Sequence, residues 1–330
     1  MYFSKNRASS ALLYSAFNGC KDITELLISS GASIKVCDER GYTPLHIASR
    51  EGHKNVIELL IENDVQVDAQ TQDGCTPLYM AALGHHQDIV QLLLNYGAVM
   101  EADIAVMLGD FELVKHYLEQ GISANSKFTK GFNKGESWLM AVININARNV
   151  LELLLSHGAS IHEGLEICKV SPLHRASAKG FWEICQILIT HGANVNAKSK
   201  NGKTPLHVAA QYGKHSVVKL LLKSGANINA LDIGGQSALF SAIQNNYKEI
   251  VKTLLLKNAE VNLQDKSGYT PLCLASNKND NEIVKLLVEY GANVNIRDSQ
   301  GFSPLHRAVI RKNKSLVEFF LAHGVQEGLE

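Results

Sequence analysis

A four-residue motif recurs along this chain at a fixed spacing of 33 residues. It consists of a hydroxyl residue, a proline, a leucine and a histidine, and its clear copies are Thr43-Pro44-Leu45-His46, Ser171-Pro172-Leu173-His174, Thr204-Pro205-Leu206-His207 and Ser303-Pro304-Leu305-His306. Looser copies begin at Thr76, Ser237 and Thr270. A constant period of this length indicates an array of one supersecondary unit, stacked many times. Such an array needs no division into separate globular domains.

Residues 204–229 show how one unit is expected to fold. Thr204 suits the N-cap of a helix, where its hydroxyl accepts an otherwise unpaired backbone N–H, and Pro205 suits the first turn because it has no N–H. The first helix can end at Gly213, which tolerates a positive φ. A second helix then carries an apolar stripe at helical spacing, formed by Val217, Val218, Leu220, Leu221 and Leu222. One unit cannot bury these faces alone, so it must stack on its neighbours.

The motif, the period and a downstream Gly-Ala pair together resemble the ankyrin repeat; the pairs are Gly192-Ala193, Gly225-Ala226 and Gly291-Ala292. The resemblance covers nearly the whole chain and implies an all-α-dominated solenoid of helix-turn-helix units joined by β-hairpin loops. It also implies a concave groove lined by the first helices. We count ten units by their terminal positions, which are Gly31, Asp64, Gly97, Gly121, Gly158, Gly192, Gly225, Asn258, Gly291 and Gly324.

The period fails in the middle of the chain. Gly97 and Gly121 are 24 residues apart, and Gly121 and Gly158 are 37 apart. The fourth unit therefore has no room for a hairpin, and the fifth is preceded by a long loop. We expect two stacks that meet at an irregular junction: residues 1–125 with units one to four, the loop 126–136, residues 137–325 with units five to ten, and a short tail at 326–330.

The loop at 126–136 has two interpretations. Its lysines and phenylalanines, Lys127, Phe128, Lys130, Phe132 and Lys134, could form a basic and aromatic finger for an acidic partner. Alternatively, the loop fills the space that the missing hairpin leaves, and its phenylalanines pack against the stack. Insertions in repeat arrays occur in both roles.

The net charge of zero conceals an asymmetry between the two parts of the chain. Residues 1–125 hold 8 Lys and Arg against 16 Asp and Glu, whereas residues 126–330 hold 24 against 16. Charge asymmetry of this kind concerns partners rather than fold. It favours an acidic partner for the later units. Nucleic acid is a weaker candidate, because the basic surplus is modest and no nucleic-acid motif occurs.

Composition and cysteine usage bear on the compartment. The chain has no apolar run of about 18 residues, so we expect no membrane span, and its beginning does not read as a signal peptide. Six scattered cysteines without a Cys-x-x-Cys pair are typical of a reducing, intracellular location such as the cytoplasm.

Neither the histidines nor the carboxylates form a recognisable catalytic or metal-binding pattern. Four of the thirteen histidines belong to the repeated motif, where the resemblance implies a hydrogen-bonding role at the start of the helix. The others do not recur at the spacing of zinc ligands, and no phosphate-binding loop or hydrolase motif is present. We therefore expect no enzyme, no metal and no cofactor.

The resemblance implies that a partner binds at the hairpin tips and the exposed ends of the first helices. Transferred residue by residue, and with the loop at 126–136 included, this predicts a partner-binding set of Tyr42, Arg50, Phe128, Phe132, Lys200, Lys203, Tyr212, Gln236, Lys266, Tyr269, Lys278, Phe302 and Arg311. Aromatic and basic side chains of this kind are the usual anchors of interfaces.

The sequence thus predicts a monomeric scaffold that binds a protein partner, through an acidic or extended segment, in its groove. An alternative is a substrate-recruiting or targeting segment of a larger protein, such as a ligase adaptor, a channel or a secreted effector. A third hypothesis places an enzyme at the irregular junction, around Phe128, Trp138 and His162; a deep pocket with converging polar groups would support it.

Overall fold

The computed structural model describes residues 7–162 and 168–324, and within these ranges the chain forms twenty α-helices that follow one another as ten pairs. By its contacts the chain divides into two compact bodies, the N-terminal body Met1–Ala159 and the C-terminal body Ser160–Glu330. The tail predicted at 326–330 lies outside the described residues. In each pair, the helix that comes first along the chain is called the first helix, and the helix that follows it is called the second helix.

The N-terminal body contains five pairs. Its first helices are α1 (Arg7–Phe17), α3 (Pro44–Glu51), α5 (Pro77–Leu83), α7 (Ala102–Leu108) and α9 (Trp138–Asn144). Its second helices are α2 (Lys21–Ser29), α4 (Lys54–Glu62), α6 (Gln87–Asn95), α8 (Phe111–Glu119) and α10 (Arg148–Ser156). Each first helix packs against the first helix of the next pair.

The C-terminal body repeats the arrangement five times. Its first helices are α11 (Pro172–Lys179), α13 (Pro205–Gln211), α15 (Ala238–Gln244), α17 (Pro271–Asn277) and α19 (Pro304–Ile310). Its second helices are α12 (Trp182–Thr190), α14 (His215–Lys223), α16 (Lys248–Leu256), α18 (Asn281–Glu289) and α20 (Lys314–Ala322). The predicted stack of helix-turn-helix units is confirmed.

The core lies between consecutive pairs. In α13 the first-helix residues Leu206 and Ala209 are buried, and in α14 so are Val218 and Leu221. Small residues on the first helices let neighbouring helices approach closely, while leucine and valine on the second helices fill the remaining space. The apolar stripe that the sequence shows at helical spacing is therefore the face that each pair presents to its neighbours.

The repeated tetrapeptide caps the first helices. Thr43 is the N-cap of α3: its hydroxyl accepts the backbone N–H of His46, and the imidazole of His46 in turn accepts the backbone N–H of Thr43. The same reciprocal capping occurs at α11, α13 and α19. Each cap satisfies backbone donors that a helix otherwise leaves unpaired.

His46, His174 and His207 also join their own pair to the next one. Because Nδ1 accepts a backbone N–H, Nε2 carries the proton and donates to a carbonyl 29 residues further along the chain. These bonds run from His46 to the Cys75 carbonyl at 3.0 Å, from His174 to Lys203 at 2.9 Å and from His207 to Gln236 at 2.9 Å. A single residue type therefore caps its own helix and fixes the register of the following pair.

The loop that precedes a first helix, here called the finger loop, reverses the chain in a tight turn. In the second pair, Oδ1 of Asp38 accepts the backbone N–H groups of Arg40 and Tyr42, at 2.9 and 2.8 Å. Asp232, Asp265 and Asp298 make the same two contacts in later pairs. The sequence predicted β-hairpins here. The turn is present, but in residues 7–162 and 168–324 these loops form no regular strand.

Neighbouring finger loops approach closely at a glycine with positive φ. A Cβ on Gly268 (φ 75°) would lie 2.6 Å from the backbone N of Ser299, in the next loop. Gly301 (φ 83°) has the same conformation, but nothing lies within 4 Å of the position of its Cβ. The positive φ of both glycines allows the turn. At Gly268, the missing side chain also allows the next loop to pack closely.

The irregular region lies inside the N-terminal body. Six residues, 96–101, separate α6 from α7, so the fourth pair has no finger loop. The loop at 126–136 lies between α8 and α9 along the chain, and α9 packs against the first helix of the preceding pair, α7. The contact-based boundary falls at Ala159, one pair later than the change in charge; the division into two stacks at residue 125 stays a prediction.

The glycine contact gives a first prediction. Gly268→Ala should lower the free energy of unfolding by more than Gly301→Ala, measured by urea denaturation of the whole chain. Both variants bear the cost of a left-handed alanine, about 1 kcal/mol. Only Gly268→Ala also forces the loops at 268 and 299 apart. Equal losses in the two variants would show that the close approach is unimportant.

The histidine bridges give a second prediction. At pH 7.5, His207→Gln should lower the free energy of unfolding by about 1–3 kcal/mol, because the Gln236 carbonyl loses its buried donor, whereas a glutamine at this position can still accept the Thr204 N–H. His306→Gln is the matched control, since His306 contacts Ser303 in the same way but its side chain is exposed. A smaller loss is expected there.

The same bridges predict a dependence on pH. Burial lowers the pKa of His46, His174 and His207 below the ordinary value, so the folded chain keeps them neutral where the unfolded chain takes up protons, near pH 6.5. Their stabilising contribution is complete above that pH and is lost as the pH falls towards the lowered values. The urea midpoint should therefore fall between pH 7.5 and 5.5, and fall less in His207→Gln. An identical fall in both proteins would contradict the assignment.

Candidate functional site

The predicted contact residues of the C-terminal body lie on the finger loops and at the ends of the first helices. Backbone hydrogen bonds hold successive loops side by side. The N–H of Ile233 donates to the backbone carbonyl of Asn201 at 3.0 Å, and the N–H of Lys266 donates to the backbone carbonyl of Gly234 at 2.9 Å. Because the loops are joined in register, residues 33 positions apart form rows. The exposed members of the predicted set here are Lys200, Tyr212, Lys266, Lys278 and Arg311.

Some of the predicted contact residues are already engaged within the fold. Nζ of Lys203 donates to Oε1 of Gln211 at 2.6 Å, and Nε2 of Gln236 donates to Oδ2 of Asp265 at 3.1 Å. The guanidinium of Arg311 donates to Oδ1 of Asn277 at 3.0 Å. These contacts orient the side chains along the row.

Tyr269 and Phe302 hold a buried arginine that the sequence analysis missed. The guanidinium of Arg307 lies 4.9 Å from the ring centre of Tyr269 and 4.6 Å from that of Phe302, and it forms an ion pair with Asp298. Burial alone would raise the pKa of Asp298, but the Arg307 hydrogen bond and backbone N–H groups lower it below the usual value. Both aromatic side chains therefore have a structural role. An aromatic residue after the turn glycine in two successive loops was the available signal.

The loop at 126–136 packs against the N-terminal body. The Phe128 N–H donates to the Glu136 carbonyl at 2.9 Å, and the Gly135 N–H donates to the Phe128 carbonyl at 2.8 Å. The Phe128 side chain is 2% exposed, so its ring belongs to the core and is not available to a partner. This corrects the sequence-based assignment: burial of the ring fills space beside a pair that has no finger loop.

Three contacts fix the loop in place. Nζ of Lys130 donates to both carboxylate oxygens of Glu101 at 2.9 Å. A Cβ on Gly131 would lie 2.7 Å from the side chains of Cys75 and Tyr79, so only glycine fits against them. Next to the loop, Nε1 of Trp138 donates to Oδ1 of Asp103 at 2.7 Å. The loop thus spans from the fifth pair to the third.

Phe132 behaves differently from Phe128. Its side chain is 55% exposed, and the Arg50 guanidinium lies 5.5 Å from the centre of its ring. Together with Tyr42 these residues line a cavity of about 90 Å³, called here the Phe132 pocket. Its lining consists of Phe17, Asp38, Arg40, Tyr42, Ile47, Arg50, Glu51, Met80 and Phe132.

The Phe132 pocket brings together three members of the predicted set, of which Tyr42 and Arg50 are eight residues apart and Phe132 is 82 residues further along the chain. Tyr42 comes from the second finger loop, Arg50 from the end of α3 and Phe132 from the inserted loop. Burial raises the pKa of the Tyr42 hydroxyl above its usual value, so Tyr42 stays neutral at physiological pH. The sequence analysis missed the apolar members Phe17, Ile47 and Met80, because only the fold brings them to one place.

The alternative of an active site at the junction gains no support. Phe128 and Trp138 are each 2% exposed and belong to the core. Within the described ranges, no group of three or more His, Cys, Asp or Glu side chains is arranged to hold a metal ion. Among the same residues, no helix is both long and apolar enough to cross a membrane.

Comparison with known proteins agrees with the fold. A family model described as ankyrin repeats in three copies matches residues 12–104, 102–199, 173–265 and 239–329. The chain belongs to the ankyrin repeat family. This ankyrin repeat protein is also similar to the B-cell lymphoma 3 protein homolog of Mus musculus, with 30% identity over 183 residues, which are 56% of the chain and 36% of that protein. It thus covers about a third of the relative's length. Ankyrin repeats are in general protein-interaction modules.

The anchored loop gives a third prediction. Lys130→Ala removes the ion pair with Glu101, and backbone amides at 127–136 should then exchange hydrogen at least about fivefold faster. The melting temperature should change little, because an ion pair at a partly exposed site contributes about 1 kcal/mol or less. Lys134→Ala, on the exposed part of the same loop, is the control. Equal exchange in the two variants would mean that the ion pair does not hold the loop.

Proposed function

We propose that this ankyrin repeat protein is a non-enzymatic scaffold that binds a partner protein along its finger loops and the ends of its first helices. The observation that carries the proposal is the row of exposed side chains on loops joined by backbone hydrogen bonds. A surface built on rigid, regularly spaced loops can contact an extended segment over many residues. Its contact residues lose little conformational entropy on binding, because neighbouring loops already hold them.

In the C-terminal body we propose that the partner is an acidic or extended protein segment. The exposed lysines Lys200 and Lys266 belong to one row, and Lys278 belongs to a second row at the ends of the first helices. They supply positive charge, and Tyr212 and Ile233, which are 52% and 59% exposed, supply apolar contacts. The excess of Lys and Arg over Asp and Glu after residue 125 favours the same partner chemistry. Aromatic residues and arginine are enriched at the centres of protein interfaces, and Tyr212 and Arg311 are exposed members of the predicted set.

We further propose that the chain acts as a monomer in the cytoplasm or another reducing compartment. All six cysteines lie in the described residues and have free thiols. Three of them, Cys75, Cys185 and Cys273, are buried, and burial raises the pKa of each thiol above its usual value. Such thiols stay protonated and react slowly.

The fourth prediction concerns the lysines of the finger loops and first-helix ends in the C-terminal body, Lys200, Lys203, Lys266 and Lys278, together called here the basic row. Lys200→Glu, Lys203→Glu and Lys278→Glu combined should weaken binding of a fluorescent glutamate- and aspartate-rich peptide at least about tenfold, measured by fluorescence anisotropy. Salt screens the attraction between exposed charges, so the affinity of the wild-type protein should also fall as the salt concentration rises from about 50 to about 300 mM. A matched peptide with glutamine and asparagine should bind more weakly than the acidic one.

The control places the same charge change on another surface. Lys219→Glu, Lys252→Glu and Lys285→Glu combined reverse three exposed lysines on the second helices α14, α16 and α18. If the row is the binding surface, this variant should retain at least half of the wild-type affinity after salt correction. Equal losses in both triple variants would mean that net charge, and not the finger-loop row, determines binding, and the proposal would fail.

A further inference from the structure

The Phe132 pocket is the second surface feature of this chain that points to a ligand, and the basic row does not include it. We propose that the Phe132 pocket receives one large apolar side chain of an extended protein segment that carries an acidic residue next to that side chain. The inference rests on the proposed function, because it treats the finger-loop surface as an interface. It adds a second contact point and a chemical description of what binds there.

The exposure of Phe132 is the first argument. A loop that only filled space would bury both of its phenylalanines, since the burial of a phenylalanine stabilises a fold by about 1.5–3 kcal/mol. Phe128 is buried, whereas Phe132 is 55% exposed on the same loop. The loop is nevertheless well fixed, by Lys130 and by the close approach of Gly131 to Tyr79. An exposed aromatic ring held by a fixed loop is a typical interface anchor.

The size of the pocket is the second argument. About 90 Å³ is several times the space that one water molecule needs, and less than the roughly 150 Å³ of an engineered cavity that holds benzene. The pocket is open to the surface, so a ring or an isobutyl group can enter it from outside. One such side chain can therefore occupy the pocket with part of its surface remaining at the mouth, and two cannot.

The lining is the third argument. Phe17, Tyr42 and Phe132 contribute aromatic walls from three different segments of the chain, while Ile47 and Met80 contribute buried aliphatic groups. Phe17 is 47% exposed, so an entering side chain would remove two half-exposed aromatic rings from water. Burial of apolar surface favours the complex by about 25 cal/mol for each Å².

The charged residues that line the pocket determine which residue of the partner is favoured next to its apolar side chain. Arg40 and Arg50 line the pocket together with Asp38 and Glu51. The Asp38 carboxylate already accepts two backbone N–H groups of its own turn. A guanidinium has five N–H donors, so Arg50 can contact the Phe132 ring and Glu51 and still donate to another carboxylate.

A cationic side chain is a poor occupant of the same pocket. The Phe132 ring is already faced by the Arg50 guanidinium, and a second cation at this ring would be repelled by the first. An acidic residue next to the apolar side chain is instead attracted to Arg40 and Arg50. The favoured segment therefore combines an apolar anchor with a carboxylate.

The test uses the full chain with carbon-13-labelled isoleucine and methionine methyl groups and three synthetic eleven-residue peptides. Each peptide has Gly-Ser flanks, and the centres are Asp-Phe-Asp, Lys-Phe-Lys and Asp-Ala-Asp. With Asp-Phe-Asp, the methyl signals of Ile47 and Met80 should shift and saturate. The other two peptides should bind at least about tenfold more weakly. Comparable binding of Lys-Phe-Lys, or of Asp-Ala-Asp, would overturn the inference.

Variants separate the pocket from the rest of the surface. Phe132→Ser replaces a half-exposed side chain, so the melting temperature should be unchanged, while affinity for the Asp-Phe-Asp peptide should fall at least about fivefold. Lys134→Ser alters an exposed residue of the same loop outside the pocket and should bind like wild type. Unchanged affinity in Phe132→Ser would overturn the inference.

The failure of this inference is distinguishable from the failure of the proposed function. The variant with Lys200, Lys203 and Lys278 changed to glutamate should still bind the Asp-Phe-Asp peptide at the pocket. If that variant loses the acidic peptide while Phe132→Ser has no effect on the Asp-Phe-Asp peptide, the basic row stands and the pocket does not.

Discussion

Within each body, the helix pairs depend on burial against their neighbours. A pair such as α13 and α14 has apolar residues on faces that it cannot cover itself, and Leu206 and Leu221 are buried only because neighbours lie on both sides. Apolar contact alone does not define the register, because one leucine can replace another along the stack. The imidazole of His207, bonded to the Gln236 carbonyl, adds a directional contact that permits one register. Apolar burial thus supplies the stability of the stack, and the histidine hydrogen bonds define the register between neighbouring pairs.

Because the helices and the histidine hydrogen bonds hold the stack together, the exposed side chains of the finger loops can vary in sequence. Their backbone is constrained by the Asp232 turn, by the glycine that follows and by the hydrogen bonds between loops. Exposed side chains at the tips, such as Lys200, Ile233 and Lys266, lie outside the core, whereas Tyr269 and Phe302 enclose Arg307. A surface of this kind can acquire contact residues one loop at a time without loss of the core. For this reason the helices determine the fold, and the loops are the surface at which we propose that a partner binds.

The sequence predicts those features of the structure that recur with the 33-residue period. The positions of the helices, their caps and the glycines follow from a pattern that recurs every 33 residues, and the structure agrees with that pattern. The two phenylalanines of the inserted loop show where prediction ends: Phe128 and Phe132 are four residues apart and of one type, yet one is core and the other surface. The difference depends on which side of the loop faces α5 and α7, and this follows only from the packing. Arg307 was missed for the same reason, because its partners come from two different loops.

The charge of a repeat array is a poor guide to the charge of its binding surface. Residues 1–125 are acidic as a whole, with 16 Asp and Glu against 8 Lys and Arg, yet two of those eight basic residues, Arg40 and Arg50, line the Phe132 pocket. Interactions in water are screened beyond about 10 Å, so a ligand in the pocket responds to these near groups more than to the total. The arginines at the pocket and the lysines of the later loops are therefore both consistent with the acidic segment that we propose as partner, although the surrounding parts of the chain differ in net charge.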